Sequence, residues 1–304
     1  MNIANTVLMV PPRHFSFNLE TAASNVFQNQ LALGEITINK QAHTEFRQLV
    51  DTLRSHGITV LLLESPTEYT PDAVFPNNWF STHRINNQRY LFIYPMLCEN
   101  RKKEIQLESL QALLLEDLQV DYNIIDFRKH HDSVLEGTGA LVFDHQAKVA
   151  FMSISERADI NLATLVTDSL GYELIPFTSH DKQGQAIYHT NVVMSIGEQL
   201  AFICLEAITT VQEQKRVKEK LHQMGKTIIN LTLSQVYGMA GNVLELKNKQ
   251  GKHFLLLSTT ANENLTNPQK RMIDQFCKRL PADISTIEKV GGGSVRCMLA
   301  EIFY

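Results

Sequence analysis

Three residues far apart in the chain have the types that nucleophilic chemistry needs. Cys297 follows Gly291-Gly292-Gly293-Ser294. Three consecutive glycines are costly in backbone entropy and let main chain approach a ligand closely. A thiol after them can meet a substrate while neighbouring N–H groups donate. His189, in His189-Thr190-Asn191, is the residue type that stabilises a thiolate and then serves as general acid or base. Glu136, in Leu135-Glu136-Gly137-Thr138-Gly139, lies between an apolar residue and a glycine turn, a poor place for a solvated charge. Such a carboxylate orients an imidazole or holds a substrate N–H. Each residue has an ordinary alternative. Cys297 fits a buried strand cysteine, His189 a core histidine among 11, and Glu136 a turn acid. The chemical reading needs elements that bring the three together.

An internal repeat supplies them. Five segments look alike, each with a small or polar residue entering a β-prone run: 75–80, 137–142, 189–194, 240–245 and 292–297. Taking Asn78, Gly139, Asn191, Asn242 and Ser294 as anchors, the steps are 61, 52, 51 and 52 residues. A second apolar strand follows at 90–93, 149–152, 200–203 and 254–257, after polar turns such as Asn86-Asn87 and 248–251, which reads as a hairpin. Next comes a helix. Ile160, Leu165 and Val166 mark one closed by Gly171, and Val217, Leu221 and Met224 mark another closed by Gly225. A third strand is predicted at 122–127, 172–177, 227–231 and 284–287. The fifth unit is shared between the termini, with strands at 295–303, 6–10 and 58–63 and a helix around 44–56. The expectation is an α/β chain of five ββαβ units. They form a five-bladed pseudo-symmetric propeller, a single circular domain over 1–304 closed by the N- and C-terminal strands, with few free edges. The alternative is a conventional α/β sandwich with accidental spacing. In a ring, the starts of the first strands gather near the axis, so the anchors are where function is expected.

Composition narrows the class. The 304 residues are 44% hydrophobic and 20% charged, ordinary globular values. With 28 basic and 32 acidic residues the formal net charge is −4, which provides no basic footprint for nucleic acid. No apolar run reaches the roughly 18 to 20 residues that cross a bilayer, and 1–17 does not read as a secretory signal. Cys98, Cys204, Cys277 and Cys297 form no C-x-x-C pair. That argues against disulfides or structural zinc and suits a reducing, cytoplasmic setting. His130-His131-Asp132 lacks further ligand spacing, so neither a metal nor a cofactor is expected. The charged run 215–220 reads as a solvated helix face. The 291–293 glycines lack the Lys-Ser/Thr of a phosphate loop.

With these motifs the chain resembles the amidinotransferase-like guanidino-group-modifying superfamily, which includes arginine deiminase, dimethylarginine dimethylaminohydrolase and agmatine deiminase. The likeness covers nearly the whole chain. Through Phe75-Pro76-Asn77-Asn78-Trp79 and 291–297 it is closest to the citrulline-utilisation hydrolase branch. The resemblance implies the five-bladed ββαβ, or pentein, fold. It also implies Cys297 as nucleophile, His189 and Glu136 as its catalytic partners, and Arg157 as a contact for the substrate carboxylate. Asp72, Asn77, Asn78 and Asn191 match substrate-binding positions.

The departures carry information. Asn78 and Asn191 are amides where relatives carry acids that grip a guanidinium, and Gly139 replaces a further acid. Tyr94 stands where methylarginine-hydrolysing relatives often have arginine. A guanidinium has five donors and no acceptor, and burying that cation needs counter-charge. A ureido group is neutral, with a carbonyl acceptor as well as N–H donors, and an asparagine amide complements it. The expected activity is cysteine-dependent hydrolysis of a C–N bond in a ureido or guanidino group, with citrulline giving ornithine as the favoured case. The alternatives are arginine deiminase or dimethylarginine dimethylaminohydrolase-like activity, amidino transfer to an amine, and non-catalytic binding. The expected partner is a small amino-acid substrate, without nucleic acid or membrane. A homo-oligomer is compatible with the sequence.

Overall fold

The computed structural model describes residues 3–130 and 132–304. Five three-stranded sheets share one plan, in which the first two strands pair antiparallel and the last two parallel. The first sheet is Phe80–Ile85, Gln88–Ile93 and Asn123–Asp126. The second is Leu141–Asp144, Val149–Ser153 and Glu173–Phe177. The third is Met194–Ile196, Leu200–Ile203 and Thr227–Asn230. The fourth is Leu244–Lys247, His253–Ser258 and Lys278–Ala282. The fifth joins the two ends of the chain: Ala300–Glu301 pairs with Thr6–Met9, which pairs with Thr59–Leu62.

Local chemistry explains the units. Asn86 and Asn87 both have positive φ, 50° and 64°, as a two-residue hairpin turn of the right twist requires. Parallel pairing needs a crossover, and helices Leu107–Leu118, Ile160–Leu170, Val211–Gln223, Asn267–Ile273 and Glu35–Ser55 provide it. In Ile160–Leu170, Asp159 caps the start by accepting from the Leu162 N–H, and Gly171 ends it at φ 67°. The buried face is Leu162, Val166 and Leu170. Ile160 and Leu165, part of the sequence signal, turn outward instead.

The structure corrects several boundaries. The third strand of the fourth unit is Lys278–Ala282, and 284–287 is the N-cap and first turn of the helix Ser285–Gly291. The Glu45 carboxylate accepts from the Thr286 and Ile287 N–H groups at 2.9 and 3.0 Å, which holds the start of that helix. The helix of the fifth unit starts earlier than expected, at Glu35. Its first strand shrinks to Ala300–Glu301, because Val295–Met298 coils into one helical turn.

That turn recurs. At three of the other four anchors the chain coils at Pro76–Asn78, Gly137–Ala140 and Thr190–Val193 before entering its strand. The coils meet at the axis. Thr138 Oγ1 donates to the Asn77 carbonyl (3.1 Å), Thr190 Oγ1 to the Ala140 carbonyl (2.5 Å), and Asn242 Nδ2 to the Asn191 carbonyl (3.0 Å). A Cβ on Gly137, at φ +44°, would lie 2.7 Å from the Asn77 carbonyl oxygen, and one on Gly241 2.2 Å from that of Val192. Only glycine allows these contacts. The core lies between neighbouring sheets, with apolar side chains from two or more units in each cluster.

Candidate active site

A small, tight pocket opens where the coils converge. Its lining includes Asp72, Phe75, Asn78, Arg101, Arg157, Tyr188, His189 and Cys297. Larger spaces lie elsewhere, among them one between the first strands near the axis and a groove beside Leu97. The small pocket brings a thiol, an imidazole and two guanidinium groups together.

Cys297, His189 and Glu136 are all buried. His189 Nε2 lies 2.8 Å from Glu136 Oε2. Glu136 also meets Arg157 Nη1 at 3.4 Å and Arg101 Nη1 at 3.8 Å, and accepts from the Leu97 N–H at 3.1 Å. Burial pushes this carboxyl upward, but Arg157, His189 and Arg101 outweigh it and hold the group well below the usual carboxylate range. An ionised Glu136 fixes the proton on His189 Nε2 and leaves Nδ1 as the acceptor of the neutral ring. Burial lowers the His189 pKa, opposed by the Glu136 hydrogen bond, so the ring is neutral at neutral pH. Of the two roles sequence leaves open to Glu136, the geometry realises imidazole orientation. Its oxygens face His189, two arginines and a main-chain donor, not the pocket.

Asn78 is fixed by Arg101, whose Nη1 donates to Oδ1 at 2.8 Å. Arginine cannot accept, so the amide has one orientation. Its buried Nδ2 has no partner among the described residues. Arg101 is itself held by Glu104, Nε to Oε1 at 3.0 Å and Nη2 to Oε2 at 2.9 Å. Asp72 Oδ2 accepts from Asn18 Nδ2 (2.7 Å) and Thr21 Oγ1 (3.1 Å), while Oδ1 is buried and unpartnered. Burial raises the Asp72 pKa against the pull of Arg101 and these hydrogen bonds. Arg157 lies 5.0 Å over the Tyr188 ring and also donates to Ser24 Oγ, leaving Nε buried without a partner.

Two expected substrate contacts turn away from the pocket. Asn77 Nδ2 donates to Thr138 Oγ1 at 3.2 Å, tying the first anchor to the second. Asn191 points its Nδ2 at Cys297 Sγ, 3.6 Å away. Tyr94 is buried with its hydroxyl on Ser81 Oγ at 2.6 Å, so it offers nothing to the pocket. Gly139 has a steric reason to be glycine, since a Cβ there would lie 2.3 Å from Asn78 Nδ2 and 2.8 Å from His189 Nδ1. The glycines at 291 and 293 lie against the Phe75 ring, where a Cβ would come within 2.8 and 2.9 Å of it. The Gly292 N–H donates to the Glu288 carbonyl, which removes it as a donor to substrate.

Sequence reasoning missed Arg101, Tyr188 and Asn25 in the lining. Arg101 sits three residues before Glu104, a spacing that reads as a surface ion pair, and only burial distinguishes it. The His130-His131-Asp132 motif includes His131, outside the described residues. Among the described residues, Glu198, Glu245 and His253 form a group with metal-ligand types. There His253 faces Glu245 through Nδ1 (2.6 Å) and Glu198 through Nε2 (3.3 Å), so the ring bridges two carboxylates. Among the described residues no helix is long and apolar enough to cross a membrane.

The sequence matches the family "N,N dimethylarginine dimethylhydrolase, eukaryotic" over residues 11–304. No curated protein matches it. The fold is similar to that of the substrate-bound N-terminal domain of ArgZ, an arginine dihydrolase from the ornithine–ammonia cycle in cyanobacteria. The TM-score is 0.75 at 14% identity, over 97% of each chain. AgrE in complex with ornithine and NAD+ matches with TM-score 0.75 and 15% identity, over 98% of this chain and 39% of that one. A mutant dimethylarginine dimethylaminohydrolase (DDAH) from Pseudomonas aeruginosa, complexed with citrulline, matches with TM-score 0.62 and 14% identity, over 99% of this chain and 100% of that one. At these identities the structures establish the pentein fold.

Proposed function

The chain belongs to the N,N dimethylarginine dimethylhydrolase family, and from that premise we propose that it is a cysteine-dependent hydrolase whose preferred substrate is a ureido amino acid, citrulline giving ornithine. Hydrolysis of a guanidino-type C–N bond is the coarser activity that family membership supports. The observation that carries the finer reading is Asn78 Nδ2, a buried donor without a partner, fixed by Arg101. A guanidinium has no acceptor to offer it. The carbonyl oxygen of a ureido group does.

In this reading the substrate carboxylate meets Arg157 through its unpartnered Nε, and the substrate ammonium meets the free Oδ1 of Asp72. His189 takes the thiol proton, and the Cys297 thiolate attacks the ureido carbon. The C–N bond to the side-chain nitrogen breaks. His189 returns its proton to that nitrogen and ornithine leaves, with the carbamoyl group on sulfur. His189 then draws a proton from water, whose oxygen attacks the carbamoyl carbon. Thiolate and carbamic acid result, and the acid decays to ammonia and carbon dioxide. Glu136 holds the imidazole through both steps. The domain over 1–304 acts as one catalytic unit in this account, and no cofactor enters it.

Arginine deimination is the second reading, and Asp72 favours it, because a buried carboxylate with a free oxygen can meet a guanidinium. A panel of citrulline, arginine, methylarginine and agmatine, with ammonia and the amino-acid product quantified together, separates the two. Ornithine with ammonia from citrulline is the expected result. Citrulline accumulating from arginine, with citrulline itself inert, would overturn it. Running the panel with an amine acceptor present tests transfer against hydrolysis.

A further inference from the structure

We propose that Asn242, together with Asn191, forms a two-amide cradle that holds and stabilises the Cys297 sulfur as thiolate. This deepens the reading of Cys297 as nucleophile and rests on it. Asn242 is the anchor of the fourth unit, buried under the site. Its Nδ2 donates to the Asn191 carbonyl at 3.0 Å and lies 3.2 Å from Cys297 Sγ. A carbonyl oxygen only accepts, so that atom must be the nitrogen, and the amide orientation is settled. Asn191 aims its own Nδ2 at the same sulfur from 3.6 Å. Two N–H donors from two different units therefore converge on one buried atom.

The charge pattern shows why the sulfur needs them. A thiolate in a closed site requires donors or a cation. The charged and titratable groups sharing the pocket with Cys297 are Asp72, Arg101, Arg157 and His189, and Tyr188 borders it as well. Arg101 is held by Glu104 and Asn78, and Arg157 by Glu136 and Ser24. His189 is engaged with Glu136. Neutral amides then supply the stabilisation. Asn242 serves both protonation states, because Sγ also lies 3.5 Å from its Oδ1. A protonated thiol donates to Oδ1, and a thiolate accepts from Nδ2. Asn242 is thus a positioning residue that acts through the nucleophile without touching substrate.

The test is the pH dependence of iodoacetamide alkylation, followed on the Cys297 peptide in the intact protein. Asn242→Asp keeps the shape, removes the donor and adds a negative charge beside the sulfur, and Asn242→Ala removes both amide atoms without adding a charge, so the Ala variant isolates the lost donor. Asn242→Ser keeps a small donor and guards against a folding defect in the others, monitored by circular dichroism. Alkylation of Cys297 at neutral pH is expected to slow by about tenfold or more in the Asp and Ala variants, since a hydrogen bond to a charged group is a strong one. Citrulline turnover at neutral pH falls at least about tenfold and recovers in part as pH is raised, with Ser intermediate. A folded Asn242 variant with the wild-type alkylation profile overturns the cradle, provided Cys297→Ser is inactive. Full activity in Cys297→Ser would instead overturn the nucleophile reading itself, so the two failures are distinct.

Discussion

Arg101 holds the Asn78 amide by a 2.8 Å bond from Nη1 to Oδ1, which leaves the amide N–H₂ as the group without a partner. The relationship turns a substitution visible in sequence into a directional statement. An acid at position 78 would pair with Arg101 and present its second oxygen as an acceptor where the amide presents a donor. Asn78→Asp is therefore expected to lower kcat/KM for citrulline by about 10- to 100-fold and to raise the arginine-to-citrulline ratio. Steady-state kinetics on both substrates check it. An unchanged ratio would show that position 78 does not read the substrate.

Glu136 bonds His189 Nε2 at 2.8 Å and faces no substrate atom in this account. Glu136→Gln preserves shape but removes the charge that fixes the tautomer. The expected outcome is a fall in kcat of about 10²- to 10⁴-fold with a much smaller change in KM. A change confined to KM would place Glu136 on the substrate instead.

Burial holds His189 neutral below the ordinary imidazole range, against the opposing pull of Glu136. The acid limb of kcat/KM should therefore lie below about 6.5. The same shift affects stability. Below that ordinary value the unfolded chain binds the proton more readily than the folded one, so this group makes stability decline as pH falls. A pH–rate profile with its acid limb above the ordinary value would contradict the neutral ring.

Gly139 sits where a methyl group would press on both Asn78 Nδ2 and His189 Nδ1. Gly139→Ala is expected to cost about 1–3 kcal/mol by overpacking and to abolish most activity by separating amide and imidazole. Thermal unfolding and turnover measured on the same preparation test both parts. Full activity would mean that the two groups need not sit so close.

Much of this was legible in the sequence, and for definite reasons. The steps of 52, 51 and 52 residues reflect units that each need two strands, a crossover helix and a third strand. That regularity located the five sheets and the shared closure by the termini, because Thr6–Met9 and Ala300–Glu301 are neighbours in one sheet. The helical turns at the anchors were not legible. Runs such as Val295–Met298 carry β-prone residues, yet the buried chain coils there. Propensity lost there to packing. Arg101 stayed hidden because nothing in the charged stretch Glu99–Lys102 signals burial, whereas its side chain is buried. Asn77 and Asn191 were matched by motif alone. Motif fixes the position of a residue on the axis, and the direction of its side chain follows from neighbours such as Thr138 and Cys297.

The central claim is that Cys297 carries a fragment of a ureido substrate, and the most direct measurement is the mass of the Cys297 peptide from enzyme quenched in acid during turnover of citrulline. A carbamoyl group is expected on Cys297, absent without substrate and absent in Cys297→Ser. An unmodified Cys297 during citrulline turnover, or an amidino group formed from arginine with citrulline left untouched, would contradict it.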